Sequence, residues 1–233
     1  METEKNSLTV PAAIVVAGVL VAGAIYLSGR GNDIKPAARL PAENEERVVL
    51  EPITAGDHIL GNPAAPIKIV EFSDLECPFC KMFHTTLHRI IDDFGKDGQV
   101  AWVYRHFPID SLHTKARTEA YASECAGELG GNAAFWKYAD RLFSITPSND
   151  GLDLAKLPQI AADIGLPVEK FNQCLSSGKY ADKVEKQYQD GVGAGGRGTP
   201  YSIIVTKDEK IPIPEGAVPY ETLKAIIEEL VKK

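Results

Sequence analysis

The stretch 67–107 constrains the fold more than any other part of this 233-residue chain. It opens with Ile67-Lys68-Ile69-Val70-Glu71-Phe72, a short run rich in β-branched residues behind a Pro-Ala-Ala-Pro turn, which reads as a buried strand. Cys77-Pro78-Phe79-Cys80 comes next. Apolar side chains then recur every three or four residues, at Phe79, Met82, Phe83, Leu87, Ile90, Ile91 and Phe94, and the pattern stops at Gly95. That spacing predicts an amphipathic helix whose first turn holds both cysteines. A second strand follows in residues 100–107, and strand, helix and strand at this spacing predict a parallel pair with a right-handed crossover.

Two cysteines so placed serve either metal binding or redox exchange. A structural zinc site takes four ligands, commonly from two such pairs, and the other cysteines, Cys125 and Cys174, are isolated singles. His84 and His88 follow Cys80 by one and two turns, but no neighbouring carboxylate accompanies them, and they read as polar residues on a solvent flank. No metal centre is expected. The redox reading gives each residue a physical role. A thiolate is the species that attacks disulfides, and the free N–H groups and dipole at a helix N-terminus stabilise it. Cys77 sits at that end, and Pro78 suits a first turn that needs no N–H there. Cys80 shares the apolar stripe with Phe83, Leu87 and Phe94, so it is expected to be the more buried, resolving thiol.

Beyond residue 108 the pattern changes to helical periods at 113–129, 133–145, 154–164, 168–176 and 180–190. A strand hairpin is expected at 201–206 and 209–213, and a closing amphipathic helix at 220–231. Residues 191–196 match the Gly-x-Gly-x-x-Gly pattern, but they follow a helix and open a strand, the reverse of a dinucleotide fingerprint. They read as a flexible helix-to-strand connection, and no cofactor is expected.

With these motifs in place, residues 56–233 resemble the DsbA-like branch of the thioredoxin superfamily. The likeness lies in Glu71 on the strand, Cys77 to Cys80, the interrupting helical segment, Gly198-Thr199-Pro200 and the PYETL segment that begins at Pro219. It implies an α/β thioredoxin fold with an inserted all-helical domain: 57–108 as one half of the fold, 109–190 as the insert, and 191–233 as the other half. It also implies a cis bond before Pro200, facing the cysteines, with Pro78, Phe79, Thr199 and Pro200 meeting the substrate. Phe79 stands where strongly oxidising members have histidine, and Tyr201 follows the proline, so potential and substrate range are not carried over. A charge at Glu71 inside a strand is costly unless used. Its carboxyl reads either as a proton carrier for Cys80 or as a residue at a water-exposed edge. Arg105 and His106, which end the second strand, are given no role.

Before the domain, residues 10–27 contain no charged side chain, close to the length of a membrane-spanning helix. A short tail, 1–9, precedes this anchor or export signal, and a tether rich in proline, glycine and charge, 28–56, follows it. An uncleaved anchor is preferred to a cleaved signal, although Lys5 before the run against Arg30, Lys35 and Arg39 after it makes the positive-inside count slightly favour the opposite orientation. The catalytic domain is expected outside the cytoplasm, where Cys125 and Cys174 would pair; two free core cysteines are the alternative. A net charge of -7 sets nucleic-acid partners aside. The expected activity is oxidation of reduced exported polypeptides, with reoxidation by a quinone-linked membrane partner. The alternatives are an isomerase or reductase on the same fold and a non-catalytic holdase or assembly factor.

Overall fold

A computed structural model describes residues 48–213 and 215–232. The anticipated tail, the membrane helix and all of the tether up to residue 47 lie outside the described residues. Among the described residues no helix is long and apolar enough to cross a membrane.

The strands are β1 (His58–Gly61), β2 (Ile67–Ser73), β3 (Val100–His106), β4 (Tyr201–Val205) and β5 (Lys210–Ile213). They form one sheet in the order β1-β3-β2-β4-β5. β2 and β3 run parallel, as the crossover requires, with Ile69 opposite Trp102 and Glu71 opposite Tyr104. Every other pairing is antiparallel.

Helix α1 (Pro78–Ile90) carries the apolar stripe and gives way to a π-helical turn, Ile91–Gly95, earlier than the spacing predicts. Phe79 and Met82 are exposed and so do not belong to the buried stripe. The expected helices at 113–129 and 133–145 are parts of α2 (Ala116–Ile145), interrupted where Gly131 takes φ 72° and ψ -172°. Then come a short 3-10 turn and α3 (Leu157–Asp163), α4 (Val168–Ser177), α5 (Ala181–Gly193) and the closing α6 (Tyr220–Val231).

The sheet separates two apolar clusters, and the alternation of side chains along β2 distributes residues between them. Ile67 and Ile69 join Cys80, Phe83 and Leu87 of α1, Phe135 of α2 and Ile227 of α6. Val70 and Phe72 join Val103, Phe107 and Ile203 on the other face, with Tyr188 and Val192 of α5 against them. Since Glu71 alternates with Val70 and Phe72, it points to the face that holds the cysteines.

Three differences from the expected organisation have physical causes. First, β1, which no sequence pattern announces, pairs antiparallel with β3 and owes its conformation to that strand at the edge of the sheet. Second, the folded unit starts at Val48, within the stretch read as tether. There Leu50 is buried, and the carbonyls of Glu51 and Pro52 accept hydrogen bonds from Arg105 at 3.1 Å each. Third, α5 continues through Gly193, so Gly191 to Gly193 are its last turn and not a flexible connection. Gly191 is pressed so tightly on the sheet that a Cβ there would lie 2.8 Å from the Phe72 ring.

Candidate active site

The loop after β2 delivers Cys77 as the residue capping α1, with φ -77° and ψ 124°, and Pro78 enters the helix directly after it. The Cys77 N–H is tied to the Asp74 carbonyl at 3.1 Å. Both cysteines are free thiols and both are buried, Cys80 completely. Their environments differ in kind. The Cys77 sulfur receives the Cys80 thiol and the helix-start N–H groups of Phe79 and Cys80; despite burial, this holds its pKa down to about 6. Burial raises the Cys80 thiol well above its ordinary range, and neighbouring charge on Cys77 and Glu71 adds to the effect. The backbone N–H of Asp74 donates to Cys80 Sγ at 3.4 Å.

From the far side of the insert, the loop before β4 meets this pair. The Thr199-Pro200 bond is cis, and Cys77 Sγ lies 3.5 Å from the Thr199 carbonyl. The Tyr201 hydroxyl secures the loop by donating to the Ala194 carbonyl at 2.7 Å. Beside it a cleft of about 390 Å³ opens, lined by Phe79, Arg197, Thr199, Pro200, Glu215 and Ala217 among others. Of the residues expected to meet substrate, Phe79, Thr199 and Pro200 therefore share one cleft, while Pro78 lies in the first turn of α1.

Glu71 is fully buried, which removes the water-exposed edge as an account of it. The Trp102 indole N–H donates to Oε2 at 3.0 Å. Burial pushes the carboxyl up to about 8, with the Cys77 charge adding to it and the Ser73 hydroxyl and Trp102 N–H opposing.

Four further groups around the thiols escaped the sequence reading. Asp74 is buried and accepts from Glu76 N at 2.8 Å, from Ile109 N at 2.8 Å and from His113 Nδ1 at 2.9 Å. Burial raises Asp74 all the same. In His113, burial disfavours the charge, but the hydrogen bond and charge of Asp74 outweigh it and the pKa rises. Next to them Glu76 and Glu119 are both fully buried. Two carboxylates cannot donate to each other, so the pair requires a proton, and burial together with Glu76 pushes Glu119 up to about 10. No local signal marks His113 or Glu119, whereas Asp74 and Glu76 stood open to reading as acidic residues beside Cys77.

Arg105 and His106 serve other ends. Arg105 is held by Asp57 at 2.8 Å and Asp190 at 2.6 Å, and His106 faces Glu124 at 3.3 Å. Cys125 of α2 and Cys174 of α4 form a disulfide with Cα atoms 5.8 Å apart. The reading of His84 and His88 needs correction. His84 is buried, and Asp140 of α2 stands beside both imidazoles, a neighbour that sequence distance conceals.

Comparison with known proteins accords with this geometry. The family model described as Thioredoxin matches residues 54–229. Among solved structures, DsbA2 of Pseudomonas aeruginosa is 28% identical with a TM-score of 0.63, the match covering 78% of this chain and 98% of that one. Oxidised BdbD of Bacillus subtilis is 26% identical with a TM-score of 0.68, covering 80% and 99%. The curated relatives include a Na(+)/H(+) antiporter NhaA 1 of Mycolicibacterium gilvum, 31% identical over 158 residues. That match takes in 67% of this chain but 24% of the antiporter, so the chain spans about a quarter of such relatives.

Proposed function

The chain belongs to the thioredoxin family, among its DsbA-type thiol-disulfide oxidoreductases, and from that premise we propose that it introduces disulfides into reduced exported polypeptides through Cys77 and Cys80. The observation that carries this reading is the asymmetry of the two thiols: Cys77 held down to about 6 at the helix start, Cys80 raised beneath it. A stabilised Cys77 thiolate favours the reduced enzyme, which makes its disulfide the stronger oxidant.

In the oxidised enzyme the Cys77-Cys80 disulfide accepts a substrate thiolate at Cys77. This forms a mixed disulfide and expels Cys80 as a thiolate, which needs a proton. A second substrate thiolate attacks the substrate sulfur of the mixed disulfide, forming the product disulfide and releasing Cys77 as its stabilised thiolate. Glu71, protonated up to about pH 8, is the donor to Cys80 and takes the proton back on reoxidation. Backbone groups of the Thr199–Pro200 loop and the apolar face of Phe79 receive the extended substrate. In this reading the domain works outside the cytoplasm, tethered through residues 10–27 and reoxidised by a quinone-linked membrane partner.

Equilibration of the Cys77-Cys80 pair with glutathione tests the direction of the reaction. A potential near -120 mV, that of DsbA, supports an oxidase, and one near -270 mV, that of thioredoxin, makes it a reductase. A Cys80→Ser variant that traps no mixed disulfide would remove the catalytic assignment and leave the holdase reading. Alkaline phosphatase fused after Gly56 should be active; activity only from a cytoplasmic reporter overturns the location.

A further inference from the structure

Away from the thiols, three side chains converge on one point between α1 and α2. His84 and His88 stand on successive turns of α1, and Asp140 reaches them from the second half of α2. His84 Nε2 and His88 Nε2 lie 2.7 and 2.8 Å from Asp140 Oδ1 and 3.2 Å from each other. Among the described residues this is a group with metal-ligand geometry.

We propose that His84, His88 and Asp140 bind a divalent transition ion of the zinc class through the two imidazole Nε2 atoms and one carboxylate oxygen. Ligands about 2.0–2.1 Å from a tetrahedral ion stand roughly 3.3 Å from one another, and the two imidazole nitrogens already have that separation. Asp140 must retreat by about half an ångström to admit the ion, and its side chain, 44% exposed, is free to do so. The exposed side leaves a position for water. Two nitrogens and one oxygen suit Zn²⁺ or its neighbours, whereas Mg²⁺ and Ca²⁺ prefer all-oxygen sites.

Burial disfavours the charged form of His84, and in Asp140 the hydrogen bonds from both histidines outweigh burial and lower the carboxyl. Hydrogen bonding alone accounts poorly for the arrangement, since both Nε2 atoms face the same oxygen and also each other. One feature limits affinity. Ligation through Nε2 leaves the His84 proton on Nδ1, which is buried without a partner, and a missing outer acceptor weakens such sites about 10- to 100-fold. Micromolar affinity is therefore expected. An ion held here would clip the active-site helix to the helical insert and stabilise the folded state.

Both tryptophans of the chain adjoin the cluster: the Trp102 ring is 5.0 Å from His84 and 5.3 Å from His88, and the Trp136 ring is 6.5 Å from His84. The experiment uses the full chain in detergent with Cys77 and Cys80 oxidised, so that thiols do not compete. Zn²⁺ is followed by calorimetry and thermal unfolding, and Co²⁺ by tryptophan quenching. One ion per chain, a raised Tm, saturable quenching and no response to Mg²⁺ are expected. His88→Ala and Asp140→Asn, both at partly exposed positions, should each lower affinity at least about 10-fold while keeping the wild-type Tm in EDTA. Zn²⁺ binding that persists in the double variant, or no saturable binding up to millimolar Zn²⁺, overturns the site.

Discussion

Replacing Glu71 with glutamine keeps the shape of the side chain and removes its charge, and the structure sets the size and pH dependence of the result. The carboxyl titrates near 4.5 in an unfolded chain and near 8 in the folded domain. A group whose folded pKa is raised destabilises the fold wherever it is ionised in the unfolded chain. Below about pH 4 both states hold the proton and nothing is lost. From 4.5 to 8 stability falls by about 1.4 kcal/mol per pH unit, which amounts to about 3 kcal/mol at pH 7 and near 5 kcal/mol above pH 8. Glu71→Gln should remove this slope, so the variant gains on the wild type as pH rises and matches it in acid. Those values are upper limits, because the buried amide must also find partners. Urea denaturation of the reduced proteins from pH 4 to 9 reads the difference directly. A constant difference across that range, or one that shrinks as pH rises, would refute the argument. Turnover should move the opposite way: the variant is more stable, but it forms the mixed disulfide, with loss of Cys80, and is reoxidised more slowly. If both steps keep the wild-type rate from pH 5 to 8, Glu71 has no role as a proton carrier.

In the reduced enzyme, iodoacetamide should label Cys77 first, with a midpoint near pH 6, and earlier labelling of Cys80 would reverse the assignment. The Cys125–Cys174 bridge closes a separation of 49 residues. Chain entropy values such a loop at about 4 kcal/mol, so a Cys125→Ala/Cys174→Ala variant should lose several degrees in Tm, and an unchanged melt counts against the bridge. Gly191→Ala drives a methyl group into the rings of Phe107 and Phe72. Overpacking of this kind costs about 1–3 kcal/mol, and a variant with unchanged urea midpoint would show that α5 is free to shift.

What could be read in advance depended on how local its cause is. β2, Cys77, Cys80 and α1 were legible because periodicity and helix-start chemistry act within one turn or one strand. β1 was not, since four residues at a sheet edge owe their conformation to β3 rather than to their own pattern. The helical period of α5 was plain, but periodicity does not tell which surface a helix covers; it lies against the sheet face that holds Phe72 and Phe107. Glu71 could be found because a charge inside an apolar strand is visible as an anomaly. His113 and Glu119 could not, because they become special only where α2 and its leading loop close over Asp74 and Glu76. Asp140 lies 52 residues beyond His88, and nothing but the packing of two helices joins them.

The central strand β2 has β3 on one side, formed within the next few turns of chain, and β4 on the other, with Glu71 opposite Ser202. Between them the whole helical insert must be made. Pairings of such long sequence separation cost loop entropy before they return any contact, and they slow folding. During that interval a growing chain presents β2 as an open edge with Cys77 and Cys80 next to it, before the Thr199 loop exists. The cysteine order offsets this hazard, because the Cys125–Cys174 bridge and the proposed Cys77–Cys80 pair each join consecutive cysteines. A chain that meets an oxidant as it is made would close them in turn. Fragments that stop short of β4 should aggregate rather than retain partial activity.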